Sequence, residues 1–295
     1  ERFADHLTPP GHPERPERAE VLRRVALEWA SRGHALDEPS MADDATLSLV
    51  HAPEYVTAIR ETSGHAIRLD PDTTTSPDSY DVARLAAGAV VDGIRHVLAT
   101  PGEPAVALVR PPGHHAEVAT AMGFCLFNSV AAGAAWARRQ GLSRVAIVDF
   151  DVHHGNGTED ILAGDPRVLM VGIFQHPFYP YSGTEHPAAN MCNVPLAAGT
   201  RGEGFRRAVT DIWLPRLHDF QPEMIFISAG FDAHREDDMA SLGLVEDDYA
   251  WVTTQIKVVA AASAHGRIVS MLEGGYALSA LGRSVAAHLR VLADV

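Results

Sequence analysis

Apolar runs rich in β-branched residues recur along the chain and alternate with segments that have helical periodicity. The runs that predict strands span residues 105–109, 145–150, 168–174, 224–228 and 268–272. The segments that predict helices span residues 79–98, 124–139, 204–217, 247–264 and 278–292. Strands that are apolar throughout and alternate with helices are typical of a parallel sheet covered on both faces. The pattern therefore predicts an α/β fold.

The first third of the chain departs from this alternation. Residues 9–16 are rich in proline and predict a loop, and residues 17–29 have a helical pattern. Residues 69–77 predict a second loop, with proline and aspartate as turn formers. No fixed-period repeat, low-complexity tract or linker interrupts the sequence. We therefore expect residues 1–295 to form a single domain.

Composition and charge narrow the class of protein. Of the 295 residues, 46% are hydrophobic and 21% are charged, which is enough apolar sequence for a large core. The formal net charge of −14 argues against a nucleic-acid partner, because proteins that bind the phosphate backbone carry a basic surface. The same charge favours cationic partners such as polyamines or lysine-rich peptides, although acidity that only maintains solubility is the alternative.

Targeting signals and cysteines bear on the compartment. The richest apolar stretch, residues 123–137, is interrupted by Asn128 and predicts a buried helix, so we expect no membrane partner. The start of the chain has no signal-peptide pattern but also lacks Met, which leaves an upstream signal open. Cys125 and Cys192 have no Cys-x-x-Cys spacing and favour a reducing compartment. We expect a cytoplasmic protein.

Chemically active side chains follow the predicted strands, at the point where each strand ends. They are His114, His115, Asp149, Asp151, His153, Asp232 and Tyr276. Ligands of open α/β sheets bind outside the carboxyl ends of the strands. Four separate strands therefore deliver such side chains to one edge of the sheet.

Asp151 and His153 are one residue apart, so that in an extended chain their side chains point to the same side. Asp232 could join them from a neighbouring strand. Two carboxylates and one imidazole with an open coordination position suit a hydrolytic divalent metal such as zinc. The alternative is that both aspartates cap helices and that His153 packs locally. The histidine pair elsewhere in the chain favours the metal site.

Metal-assisted hydrolysis also needs a base, and the pair His114 and His115 follows a rigid Pro-Pro-Gly segment. One imidazole could take the proton of the attacking water. Each histidine needs an acceptor that fixes its tautomer, and Asp149 and Asn156 are the candidates. Without such partners, a histidine pair is more often a surface or core feature.

Tyr276 follows Gly274 and Gly275, which let the backbone approach a site closely. Its phenol could donate a hydrogen bond to the oxyanion that forms when water attacks an amide carbonyl. By itself, Gly-Gly-Tyr also fits a simple turn. The signatures of serine hydrolases, zinc metalloproteases, P-loops and dinucleotide-binding folds are missing from the sequence. The sequence therefore favours metal-dependent amide hydrolysis.

Five segments resemble those of the zinc-dependent histone deacetylase and acetylpolyamine amidohydrolase superfamily. They are Arg-Pro-Pro-Gly-His-His-Ala-Glu at 110–117, Gly-Phe-Cys-Leu-Phe-Asn at 123–128, Asp-Phe-Asp-Val-His-His-Gly-Asn-Gly-Thr at 149–158, Ser-Ala-Gly-Phe-Asp-Ala at 228–233 and Leu-Glu-Gly-Gly-Tyr at 272–276. The resemblance extends from residue 12 to the last predicted helix, and it favours the class II and bacterial branch.

The resemblance implies an arginase/deacetylase-like three-layer α/β/α fold with a central, mostly parallel, eight-stranded sheet. It implies a zinc-dependent deacetylase that removes acetyl or other acyl groups from an amine such as acetyl-lysine in peptides. The roles that it implies are Zn²⁺ ligands for Asp151, His153 and Asp232, general base and then acid for His115, electrostatic partner for His114, orienting groups for Asp149 and Asn156, and a carbonyl-polarising phenol for Tyr276.

The resemblance also implies a narrow tunnel for the acyl-lysine. The residues that match its walls and rim are Phe124, Tyr179, Gly123, Met239, Gly274 and Gly275. Family members usually bind a structural potassium ion with the help of a serine hydroxyl. Gly172 stands at that position here, so that K⁺ would have one side-chain ligand fewer and would rely on backbone carbonyls and water.

Two rival functions share parts of this pattern. A binuclear manganese enzyme of the arginase type would need carboxylates where this chain has Gly155 and His234. A non-catalytic acyl-lysine binder is expected to have lost His115 or Tyr276, and both remain. The substrate stays open between acetyl-lysine peptides, acetylpolyamines and other acyl amines. The lack of a large inserted loop favours peptides, and a homo-oligomer is left open.

Overall fold

A parallel sheet lies at the centre of the computed structural model, which describes residues 2–295. Its six strands are β1 (Ala105–Ala107), β2 (Val145–Asp149), β3 (Val168–Gln175), β4 (Met191–Leu196), β5 (Met224–Ala229) and β6 (Ile268–Leu272). Their order is β1-β6-β5-β2-β3-β4, and each neighbouring pair is parallel. The loops that follow β2 and β5 therefore start at the middle of one sheet edge.

The expectation of eight strands is wrong, because the described residues form a sheet of six. Other extended contacts, such as that between Arg68 and Thr74, are isolated bridges too short to add a strand. All five predicted strands are present. The sixth, β4, was not predicted, because Asn193 and Pro195 break its apolar pattern. As an edge strand, β4 tolerates a proline that a central strand would not.

Helices cover both faces of the sheet and surround the amino-terminal region. They are α1 (Glu17–Ser31), α2 (Asp44–Leu47), α3 (Pro53–Arg60), α4 (Ser79–Ala99), α5 (Ser129–Arg139), α6 (Asn156–Leu162), α7 (Gly202–Ala208), α8 (Leu214–Phe220), α9 (Glu246–Ser263) and α10 (Leu278–Leu292). A π-helical turn, Val209–Trp213, joins α7 to α8.

The helix predicted from residue 124 begins five residues later than expected, at Ser129. Asn128 caps it, because its Oδ1 accepts a hydrogen bond from the Ala131 amide at 3.0 Å. Residues 124–127 therefore lie outside the helix, and Phe124 is part of a loop.

Successive side chains of β2 point to opposite faces of the sheet. Ala146 and Val148 pack into one apolar cluster with residues of α1, α9 and α10. Val145 and Ile147 pack into a second cluster with residues of α4 and α5. The predicted three-layer α/β/α arrangement is confirmed.

A third, smaller apolar cluster lies in the amino-terminal region and includes Leu47, Tyr55, Leu126 and Phe127. The Tyr55 hydroxyl donates to the Leu126 carbonyl oxygen at 2.5 Å. This cluster fixes the backbone just before α5, so that the loop carrying Phe124 has a rigid support. None of the helices within residues 2–295 combines the length and apolar character that crossing a membrane requires.

Candidate active site

Four strand ends bring the predicted site residues together at one edge of the sheet. Asp149 is the last residue of β2, and Asp151 and His153 follow it directly. Asp232 follows β5, and Tyr276 follows β6. The histidine pair arrives from the loop after β1. All these side chains are buried.

Asp151, His153 and Asp232 form a compact group in which one potential ligand atom from each lies within 4.8 Å of the others. His153 Nδ1 is 3.0 Å from Asp151 Oδ1 and 3.2 Å from Asp232 Oδ2. Asp232 Oδ2 is fully buried and accepts no hydrogen bond from the described residues. Buried carboxylate oxygens that lack a donor are stabilised by a cation, so that this donor set fits a divalent metal.

Backbone amides hold both carboxylates in place. Asp151 Oδ1 accepts from the His153 amide and its Oδ2 from the Gly274 amide, both at 2.9 Å. Asp232 Oδ1 accepts from the Val152 amide at 2.9 Å. A Cβ atom on Gly274 would lie 2.1 Å from Asp232 Oδ2. Only glycine therefore allows the loop after β6 to approach these carboxylates so closely.

Protonation of this group is governed by its close contacts. Burial would lower the pKa of His153, but its close contacts with the carboxylates of Asp151 and Asp232 outweigh burial and raise the pKa to about 9. Burial and the charge of Asp151 raise the pKa of Asp232 to about 6. A proton on His153 Nδ1 lies between the two carboxylates, where it offsets their charge as a metal ion would. Metal binding and protonation of His153 therefore compete.

The rings of His114 and His115 have centroids 4.1 Å apart and are tilted by 46°, but their hydrogen-bond partners differ. His114 Nδ1 lies 2.9 Å from Asp149 Oδ2. His115 Nδ1 lies 2.7 Å from Asn156 Oδ1. One histidine thus faces a carboxylate and the other faces a neutral amide.

The surroundings of the two histidines shift their pKa values in opposite directions. Burial would lower the pKa of His114, but the charges of Asp151 and Asp149 hold it well above its ordinary value. Burial, followed by the charges of His114 and His153, lowers the pKa of His115 well below 6.5. At neutral pH the site therefore contains an imidazolium beside a neutral imidazole.

The tautomer of His115 is fixed by Asn156. The Asn156 Nδ2 group donates to Glu117 Oε1 at 2.9 Å, which leaves Oδ1 to accept from His115. His115 Nδ1 must then carry the proton, and Nε2 has a free lone pair. This is the form of histidine that can accept a proton.

The loop that carries Tyr276 is held by the guanidinium of Arg18, which is fully buried. Arg18 Nη2 donates to the Glu273 carbonyl at 2.6 Å and Nε to the Gly275 carbonyl at 2.7 Å. Its Cζ is 4.9 Å from the centroid of the Tyr276 ring. Burial raises the pKa of Tyr276 well above its ordinary value, so that the phenol stays protonated and can donate a hydrogen bond.

Sequence reasoning gave no separate role to the charged residues that support these loops. Glu14 accepts from Arg18 Nη1 at 2.8 Å and from Arg110 Nε at 2.7 Å, and all three side chains are fully buried. Arg110 directly precedes the loop of the histidine pair. The one available signal was the charged segment His-Pro-Glu-Arg-Pro-Glu-Arg, which sequence alone does not distinguish from a solvated loop.

Glu273 is a second supporting residue that sequence reasoning missed. Its Oε2 accepts from the amides of Gly113, at 2.6 Å, and His114, at 3.1 Å. Its Oε1 accepts from Ser228 Oγ at 3.1 Å. Burial raises the pKa of Glu273 to about 7. The Glu273 carboxylate therefore connects the loop after β1 and the strand β5 to the end of β6. In the sequence, the signal for this residue was a charged side chain at the end of the apolar strand β6.

Aromatic rings flank the histidines and the tyrosine. Tyr179 lies edge-on to His115 with centroids 5.4 Å apart, and Phe124 lies edge-on to Tyr276 at 5.8 Å. A Cβ atom on Gly123 would lie 2.3 Å from the His115 ring. Phe178, which was not singled out from the sequence, stacks on His153 at 5.5 Å. Aromatic rings therefore adjoin the site at His115 and His153 on the one hand and at Tyr276 on the other.

The remaining predicted positions lie at the margins of the site. Met239 is half-buried on the loop after Asp232. Gly172 pairs with Asp149 across β2 and β3, and a Cβ atom there would meet nothing closer than 3.7 Å. A Cβ on Gly155 would lie 2.5 Å from Asp149 Oδ2, so that a bridging carboxylate does not fit there. Within residues 2–295, Asp151, His153 and Asp232 are the one such ligand group found.

Comparisons with known proteins agree with this geometry. The histone deacetylase domain model matches residues 12–292. The chain is 36% identical to a probable deacetylase of Archaeoglobus fulgidus, covering 94% of this chain and 80% of that protein. It is 35% identical to the histone deacetylase-like amidohydrolase of Pseudomonas aeruginosa, covering 90% and 73%.

The fold is also similar to that of a solved structure, the crystal structure of the HDA15 HD domain. The TM-score is 0.94 at 32% sequence identity, and the alignment covers 99% of this chain and 86% of that one. The match of the family model extends over nearly the whole chain and includes all of the strand ends described above. The chain belongs to the histone deacetylase domain family.

Proposed function

We propose that the protein is a zinc-dependent amidohydrolase that removes acetyl or other acyl groups from an amine such as acetyl-lysine in peptides. The observation that carries the proposal is the pair of neighbouring histidines, one on a carboxylate and the other on an amide oxygen, beside a buried Asp–His–Asp group. Membership in a family whose relatives are named deacetylases and amidohydrolases supports a hydrolase. We also propose that residues 1–295 act as one catalytic domain.

Asp151, His153 and Asp232 would hold the zinc ion. Two carboxylates and one imidazole leave a coordination position open, as in hydrolytic zinc sites. When bound, zinc supplies Lewis-acid polarisation of the amide carbonyl and of the attacking water. A potassium ion beside Asp149 would have to rely on backbone carbonyls and water, since Gly172 offers no side-chain ligand.

The histidines divide the proton transfers between them. His115, neutral and with Nε2 free, takes a proton from the attacking water as the new C–O bond forms. It then gives this proton to the amine nitrogen as the C–N bond breaks. His114 keeps its own proton and stabilises the negative charge that develops between these steps. The products are a carboxylic acid, acetic acid for an acetyl substrate, and a free amine, and the acid then releases its proton to solvent at neutral pH.

Tyr276 completes the site as the donor to the carbonyl oxygen. Its phenol is protonated at neutral pH, and Arg18 beneath the ring fixes its loop. A hydrogen bond to the oxyanion is stronger than one to the original carbonyl, so that the tyrosine favours the transition state. The catalytic tyrosine and His115 are both present, which argues against a non-catalytic acyl-lysine binder.

The tunnel walls Phe124 and Tyr179 suit a slender alkyl chain, which acetyl-lysine and acetylpolyamines share. The net charge of −14 favours either cationic substrate. We propose peptides as the substrate and acetylpolyamines as the alternative. Both cysteines, Cys125 and Cys192, are free, which supports a reducing compartment such as the cytoplasm.

Acetate release from zinc-loaded protein tests the proposal. An acetyl-lysine peptide, acetylputrescine and acetylspermidine should be offered in parallel, each with and without a chelator. We expect turnover that the chelator abolishes, with the highest kcat/KM on the peptide. Higher kcat/KM on a polyamine would select the alternative substrate, and zinc-loaded protein that turns over none of the three would contradict the proposed deacetylase.

Tyr276→Phe should lower kcat about 100-fold, because it removes one donor to the oxyanion. The zinc content, measured by atomic absorption, should stay unchanged. Tyr181→Phe is the matched control, since it removes the same hydroxyl from a side chain that is 74% exposed. Loss of zinc in Tyr276→Phe would instead assign the tyrosine a structural role.

Asp151→Ala and Asp232→Ala should each lose zinc on dialysis, because either change removes one of three protein ligands. Zinc should also stop raising the Tm of these variants. Asp219→Ala, on the exposed face of α8, is the control and should bind zinc as the wild type does. Normal zinc content in either of the first two variants would disprove the ligand assignment.

The pH profile should report on His115. Because burial and neighbouring charges lower its pKa, the base is neutral above that pKa, and activity should fall only as the pH drops well below 6.5. Asn156→Asp places a carboxylate beside Nδ1, which favours the imidazolium and should move the acid limb of kcat/KM to higher pH.

Asn156→Ser is the control for this shift, because it removes the acceptor without adding charge. It should lower kcat and move the acid limb to lower pH, opposite to Asn156→Asp, because the bond to Asn156 raises the pKa of His115. An acid limb that does not move in Asn156→Asp would show that His115 is not the group titrating.

A further inference from the structure

We infer that Asp237 is a positioning residue for Tyr276, and that it fastens the tyrosine loop to the loop that carries Asp232. The inference rests on the proposed function, in which the Tyr276 phenol donates to the reacting carbonyl. Asp237 does not belong to the metal group, and it is not among the residues that the sequence motifs single out.

The Asp237 carboxylate accepts hydrogen bonds from two loops at once. Its Oδ2 accepts from the amide of Tyr276 at 2.6 Å and from that of Ala277 at 2.9 Å. Its Oδ1 accepts from the Met239 amide at 3.1 Å. The side chain is buried, with 6% of its surface exposed. A buried carboxylate with several amide donors is a strong fixed contact, since each bond is charge-assisted.

The position of these amides explains why the contact matters for the tyrosine. Tyr276 follows Gly274 and Gly275, and Gly275 has a φ of 120°, which other residues rarely adopt. Backbone that contains two glycines has little conformational preference of its own, so that its position depends on outside contacts. Ala277 is the residue just before α10. Asp237 accepts from the amide of Ala277 as well as from that of Tyr276, and so fixes the backbone that leads into this helix.

Arg18 and Asp237 thus bind different backbone groups of the tyrosine loop, Arg18 its carbonyl oxygens and Asp237 its amides. Arg18 binds the carbonyl oxygens of Glu273 and Gly275. Asp237 binds the amides that follow. The Gly274 amide is bound by the ligand Asp151. Of these contacts, the one from Asp237 is made to the backbone of Tyr276 itself. Asp237 therefore fixes the backbone position from which the Tyr276 side chain extends.

Loss of this contact should affect turnover more than substrate binding. A phenol displaced by about 1 Å loses much of its bond to the oxyanion, an effect on the order of 100-fold at the limit. Asp237→Asn keeps one acceptor oxygen and should lower kcat about 10-fold, whereas Asp237→Ala should lower it further. KM should change little, because the bond is strongest in the transition state.

The test combines these variants with Tyr276→Phe in a double-mutant cycle on zinc-loaded protein. If Asp237 acts through the phenol, Asp237→Asn should lower kcat less than about 2-fold once the hydroxyl is absent. If its role is merely structural, the two decreases should multiply, which would overturn the inference. Asp238→Asn is the matched control, as it makes the same charge change on the exposed neighbour and should leave kcat and zinc content unchanged.

Hydrogen exchange provides a readout that does not require activity. In Asp237→Asn, the amides of Tyr276 and Ala277 should exchange faster than in the wild type and in Asp238→Asn. Unchanged exchange would overturn the inference whatever the activity. A wild type that hydrolyses no acyl amine, or a Tyr276→Phe variant as active as the wild type, would instead overturn the proposed function and with it the role of Asp237.

Discussion

Compensation of buried negative charge is the constraint on which this site depends. The carboxylates Asp149, Asp151, Asp232 and Glu273 are each at most 1% exposed and lie at one edge of the sheet. Ionised groups in a poorly polarisable interior are costly unless donors or cations surround them. Backbone amides, the imidazolium of His114 and the position that suits a divalent ion supply this compensation. Glycines such as Gly274 are needed in these loops, because only they let the backbone amides come close enough to the carboxylates.

The same electrostatic environment shifts the pKa values of two chemically identical side chains, those of His114 and His115, in opposite directions. His114 faces carboxylates and is charged, whereas His115 faces the amide of Asn156 and is neutral. Adjacent residues of one type thereby acquire different chemistry from burial and from the charges around them. The sheet makes this possible, because Asp149 ends β2 and Asn156 begins α6, only a few residues apart.

The sequence predicted those parts of the protein in which a local pattern carries the information. Uniformly apolar strands marked the sheet and its edge, and the spacing of Asp151 and His153, taken with Asp232 and the histidine pair, predicted the candidate metal group. Strand β4 was missed because an exposed edge strand need not be apolar. Glu14 and Arg110 are 96 residues apart and become a buried pair only in the folded chain. Asp237 likewise has no local signature, and the acidic end of β6 marks Glu273 without revealing its distant partners Gly113 and Ser228.

Phe124 has a backbone φ of 68°, a conformation that favours glycine. Its amide is held by Thr73 Oγ1 at 3.0 Å, and its ring lies against His12 and Tyr276. Such a residue persists only where the surrounding structure outweighs the local strain. Stability and function therefore make opposite demands at this position: glycine would relax the backbone, yet only the aromatic ring forms the wall. Selection for heat resistance alone would therefore favour glycine here and remove the ring beside Tyr276.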